Sequence, residues 1–77
     1  MKLDLRGNDI QELPTNAFKH TPYLTHLSMQ RSNIRTVREG AFRGLGRLVF
    51  LNLANNNIEI LFQVAFALLF TNKLLYM

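Results

Sequence analysis

Residues 3–18 read LDLRGNDIQELPTNAF, and the order of residue types along this stretch decides the fold. Leu3 and Leu5 alternate with Asp4 and Arg6, which is the period of a strand that buries one face and leaves the other to solvent. Asn8 follows where the strand must bend. Its amide carries donors and an acceptor, so it can satisfy backbone groups left open at the bend. Ile10, Leu13 and Phe18 continue the apolar set without alternation. Pro14 stands in the intervening loop, where no ladder N–H is required. A strand and loop of this length cannot bury Leu3, Leu5, Ile10, Leu13 and Phe18 alone, so the set needs neighbours above and below.

Those neighbours are in the sequence. Shifted against itself by 24 residues, the chain gives four columns that are identical in three copies: Leu3, Leu27, Leu51; Ile10, Ile34, Ile58; Ala17, Ala41, Ala65; and Phe18, Phe42, Phe66. Others keep their character, as in Leu5, Met29, Leu53 and in Leu13, Val37, Leu61. Asn8, Ser32 and Asn56 occupy the bend and form an expected asparagine ladder, with Ser32 filling its slot by one hydroxyl. The expected organisation is a single domain over 1–77, with repeats 1–24, 25–48 and 49–72 and the start of a fourth at 73–77, where Leu75 and Met77 resume the strand. Gly40, Gly44 and Gly46 punctuate the second return segment, which is expected to be irregular or a short helical turn.

The pattern L-x-L-x-x-N-x-I-x-x-L-P-x-x-A-F, fullest in residues 3–18, resembles the typical 24-residue class of leucine-rich repeat. Asn33-Ile34-Arg35 and residues 39–45, EGAFRGL, are similar to the chondroadherin-like matrix and cell-surface members. The resemblance implies an α/β repeat solenoid, with short parallel strands on a concave face and irregular or short helical segments on the convex side. It also implies a location outside the cell or at its surface, and protein or matrix partners. Such proteins carry a signal peptide and cysteine-rich caps. Neither is in this chain, which reads as cut from something longer.

Composition bounds the rest. There is no cysteine, so neither disulfides nor a thiolate metal site can stabilise the chain. No stretch approaches the ~18 consecutive apolar residues of a membrane span, and no apolar segment follows Met1 as a signal peptide requires. The net charge is +4, but its distribution is uneven: residues 1–48 hold eight Lys or Arg and four Asp or Glu, against only Lys73 and Glu59 beyond. The basic residues are mixed with acids and lack interleaved aromatics, which argues against nucleic-acid binding. No Asn-x-Ser/Thr glycosylation signal occurs.

Strand positions that alternate with the core define the expected binding face: Lys2, Asp4, Arg6; His26, Ser28, Gln30; and Phe50, Asn52, Ala54. Phe50 is the candidate anchor, since a large apolar side chain off the core face resembles a hot spot; the plainer reading is that it covers its neighbours. Asp4, His26 and Ser28 superficially supply acid, base and nucleophile. His26 and Ser28 lie on one strand, however, and no oxyanion hole accompanies them, so no enzymatic activity, cofactor or metal site is expected. His20 and His26 read as solvated surface residues. Arg31, Arg35, Arg38, Arg43 and Arg47 read either as a sulfated-glycosaminoglycan contact or as a solvated charged edge.

In the third copy the logic decays. Phe62, Val64 and Leu68 replace Arg38, Gly40 and Gly44, and Asn72 replaces a core leucine. The apolar run with Phe70 predicts self-association. It is also what a truncated product, incompletely folded and without independent activity, would present.

Overall fold

The computed structural model describes residues 1–61 and 74–76. Its strands are β1 (Lys2–Asp4), β2 (Glu12–Leu13), β3 (His26–Ser28), β4 (Thr36–Val37), β5 (Phe50–Asn52), β6 (Ile60–Leu61) and β7 (Leu74–Tyr76). The odd-numbered strands form one four-stranded sheet in the order β1-β3-β5-β7, and the even-numbered ones a three-stranded sheet, β2-β4-β6. All pairings are parallel. Their register follows the sequence period: Leu3 opposes Leu27, Leu27 opposes Leu51, and Leu51 opposes Leu75. The backbone of the expected fourth copy thus extends the sheet.

One strand per copy is legible as an alternating pattern; the second sheet is not. It arises because each copy repeats the backbone path of the one before, which lays equivalent extended residues side by side. Their amides and carbonyls then pair. The Arg35 and Thr36 amides donate to the Gln11 carbonyl (2.7 and 3.2 Å), and Arg38 donates to Leu13 (2.9 Å). Leu13 and Val37 turn inward from this second sheet and are buried, while Glu12 is exposed.

The core lies between the two sheets. Leu24, Leu27, Met29, Ile34 and Val37 are fully enclosed, at 0% exposure, whereas Leu3, Leu5 and Ile10 are partly buried. The difference follows from stacking. The second copy is covered on both sides, and the first has a described neighbour on one. Phe18 and Phe42 stack with ring centroids 6.0 Å apart and planes 7° from parallel, which carries the phenylalanine column through the core.

The return segments contain no helix among the described residues. In the first, Ala17, Lys19, Thr21 and Leu24 donate to Pro14, Asn16, Phe18 and Thr21; in the second, Ala41, Arg43, Leu45 and Leu48 donate to Arg38, Gly40, Phe42 and Leu45. The same i→i+3 turns recur one copy apart. Asn16 (φ 59°) and Gly40 (φ 70°) share the left-handed position that starts them, which asparagine and glycine tolerate best. Phe62, Val64, Leu68 and Phe70, on which the expectation of self-association rests, lie outside the described residues, as do Ala65, Phe66 and Asn72.

Candidate binding face

The outward positions of β1, β3 and β5 and the residues that follow them form columns in register. Lys2, His26 and Phe50 stand in one; Asp4, Ser28 and Asn52 stand in the next. Arg6, Gln30 and Ala54 continue the series beyond the strands, bridged where Gly7 and Arg31 donate to the carbonyls of Gln30 and Ala54 (3.3 and 3.1 Å). Lys2, Asp4 and Arg6 are exposed, and the other six are half-buried.

Contacts on this face pre-order several side chains. His26 stacks on Phe50 (centroids 5.9 Å, planes 26° apart), and its Nδ1 lies 3.0 Å from Thr25 Oγ1. His26 is therefore packed on one side rather than solvated as the sequence suggested; His20 is exposed. Phe50 is correspondingly half-covered. Arg6 Nε donates to both Asp4 carboxylate oxygens at 2.9 Å, Nη2 lies 2.7 Å from Oδ2, and the Arg6 amide donates to Oδ1 at 3.1 Å. The Arg6 side chain, then its amide, holds the Asp4 carboxyl below the usual range, and Asp4 raises Arg6 in return. Asp4 is thus engaged by Arg6 rather than poised toward His26.

Beneath the face, the bend residues bind the copies together. Asn56 Nδ2 donates to the Leu53 carbonyl in its own copy and to Met29 in the one before (both 2.9 Å), while its Oδ1 accepts from the Ser32 and Ile34 amides (both 2.9 Å). Ser32, fully buried, performs half of this. Its hydroxyl donates to the Leu5 carbonyl at 2.7 Å, and the Ile10 amide turns instead to the Ser32 carbonyl at 2.9 Å. Exposed Asn8 donates to Leu5 at 3.0 Å. Asp9 accepts from Asn33 Nδ2 (2.8 Å) and Gln11 Nε2 (3.0 Å), bonds that lower its pKa.

Three arginines of the second copy have different surroundings. Arg38 bonds Glu12, and the Arg47 guanidinium sits 4.7 Å from the centroid of the Tyr23 ring. Arg31 lies elsewhere, beside the strand face, where it lines a recess of about 730 Å³ with Asp4, Arg6, Gln30, Asn52 and Asn55. Sequence reasoning did not place Arg31 on the binding face. Its column could have: Gly7, Arg31 and Asn55 are equivalent, and an arginine is out of character between two turn-formers. Among the described residues no cluster of His, Asp or Glu is arranged to hold a metal.

The sequence model of the leucine rich repeat family matches residues 1–67. Chondroadherin-like protein from Mus musculus is 55% identical over 53 residues, 69% of this chain and 7% of that protein. Leucine-rich repeat-containing protein 3 from Danio rerio is 39% identical over 68 residues, 87% of this chain and 26% of its own length. Toll-like receptor 13 from Mus musculus is 42% identical over 57 residues, covering 74% of this chain and 6% of the receptor. The chain therefore spans a small part of the relatives it matches. No solved structure matches it significantly.

Proposed function

This chain belongs to the leucine-rich repeat family, and on that basis we propose that it is a non-enzymatic interaction module that binds a protein or matrix component along the outer face of its four-stranded sheet. We read 1–77 as one domain of three repeats and the start of a fourth, stacked as a short solenoid with that face concave. The likeness to a chondroadherin-like protein supports a setting outside the cell or at its surface.

The observation that carries this reading is the constant 24-residue register. It gathers Lys2, His26 and Phe50, and Asp4, Ser28 and Asn52, into a continuous surface while their strand neighbours fill the core. Parallel strands about 4.8 Å apart present charged, polar and aromatic groups at a spacing suited to a partner's side chains. Phe50, stacked on His26, is a pre-ordered apolar anchor of the kind that dominates interface energetics. Sulfated glycosaminoglycan is the lesser alternative, because Arg38 and Arg47 are already engaged; retention on heparin that falls steeply with salt would revive it.

The test is site-specific photocrosslinking. A benzophenone side chain at Ser28, on the face, is compared with one at Lys19, on a return turn, in extracts of matrix and of cell-surface protein. Discrete adducts should form from position 28 and weaken about tenfold with Phe50→Ala, a loss of ~1.4 kcal/mol, with an unchanged circular dichroism spectrum. Equal labelling from both positions would remove the proposal.

A further inference from the structure

The recess beside the strand face contains two side chains whose chemistry the packing does not use, those of Arg31 and Gln30. Arg31 has a left-handed backbone, φ 56°, at the position where the neighbouring copies place Gly7 (φ 74°) and Asn55 (φ 59°). Glycine and asparagine tolerate this conformation; arginine does so at a cost. The backbone there is held by the Arg31 amide donating to the Ala54 carbonyl at 3.1 Å, a bond that any residue type makes, while the Arg31 guanidinium is exposed and makes no ion pair or hydrogen bond among the described residues. Next to it, Gln30 Oε1 is shielded from solvent and accepts no hydrogen bond among the described residues. A buried, unsatisfied amide oxygen is expensive to maintain. A strained residue and an unpaired polar group at one recess form a combination found at ligand sites.

The charge of the recess selects the ligand. Asp4 and Arg6 neutralise each other in a pair, which leaves Arg31 as the uncompensated charge among the lining residues. Its planar fork matches a carboxylate bidentately. Resting on the binding face argued above, we propose that this recess is a carboxylate subsite, in which Arg31 takes an Asp or Glu side chain of the protein partner and the Gln30 amide pairs with the adjoining backbone. In this view the second repeat keeps an arginine where its neighbours have turn-formers because the partner, not the fold, needs it.

The test uses the full 77-residue chain and a fluorescein-labelled peptide of alternating aspartate and glycine, followed by fluorescence anisotropy, with an asparagine–glycine peptide as the uncharged control. Arg31→Asn restores the residue that Asn55 shows to suit this position, so it should fold and melt at an equal or higher temperature. It should nonetheless weaken peptide binding by about tenfold or more. Arg43→Asn makes the same charge change on a return turn and should alter binding less than about twofold. Gln30→Leu should weaken it by a smaller factor. Equal losses in both arginine variants, or no preference for aspartate over asparagine, would overturn the subsite by reducing it to net-charge attraction. Absence of peptide binding would do the same. Tighter Arg31-dependent binding of heparin than of the peptide would reassign the recess to a sulfated polysaccharide. If the adduct from position 28 persists while Arg31→Asn has no effect, the subsite fails and the binding face stands; if that adduct is also absent, both fail.

Discussion

Asn56 and Ser32 occupy equivalent positions and do unequal amounts of bonding. The asparagine closes the Leu53 carbonyl of its own copy and, across the junction, the Met29 carbonyl and two amides; the serine closes carbonyls alone through its side chain. Asn56→Ala leaves several buried backbone groups unpaired and should cost about 2–4 kcal/mol in urea unfolding. Ser32→Asn should instead stabilise by about 1 kcal/mol, as a residue brought into agreement with its repeat. A Ser32→Asn variant less stable than the parent would show that the buried slot cannot hold the larger amide. Asp4 is held below its ordinary pKa by Arg6, and Asp9 by Asn33 and Gln11. Groups depressed in the folded state contribute stability that is complete above the unfolded value of about 4 and is lost as pH falls through the lower folded values. Melting temperature should therefore decline below about pH 4, and the combined Arg6→Ala and Asn33→Ala variant should flatten that decline. Both carboxylates are exposed, so the effect should be small and weaken further with salt.

Among the elements, β3 is held from both sides, by β1 and β5, whereas β1 stands at the edge of its sheet. Leu27 at its centre is fully enclosed, and Leu27→Ala should cost about 2–5 kcal/mol; Leu3→Ala, at the equivalent but half-covered place in β1, should cost about 1 kcal/mol. Equal costs would contradict the gradient of burial from the first copy to the second. Nothing in the types of Glu12, Leu13, Thr36 and Val37 distinguishes a two-residue strand from loop, because alternation cannot be read over two positions. They become a sheet through pairing with copies 24 residues away.

For the whole molecule, the hydrogen bonds that join copies run between residues about 24 apart in the chain, and each copy is stabilised by its neighbours rather than by itself. The array should behave as coupled units. A destabilising change in the second copy should lower the urea midpoint of the whole transition, as followed by circular dichroism at several wavelengths. Probe-dependent midpoints would mean that the copies melt separately. The same coupling makes the binding face a collective property. Phe50 is pre-ordered by His26 from the preceding copy, so His26→Ala should weaken the position-28 adduct through loss of that stacking without removing the anchor itself.

By itself the sequence determined the repeat, its period and which strand residues face the core and which face outward; the parallel pairing it gave only through resemblance to the leucine-rich repeat. The repeat, its period and the facing of its side chains follow from side-chain alternation and from identity at a fixed spacing, which are properties of the chain read in one dimension. Tertiary structure alone decided the second sheet, the packing of His26 on Phe50, the engagement of Asp4 by Arg6, and the meeting of Arg31 with Gln30 at one recess. Those depend on backbone dihedrals and on which groups of separate copies come within hydrogen-bonding distance. No spacing rule encodes either.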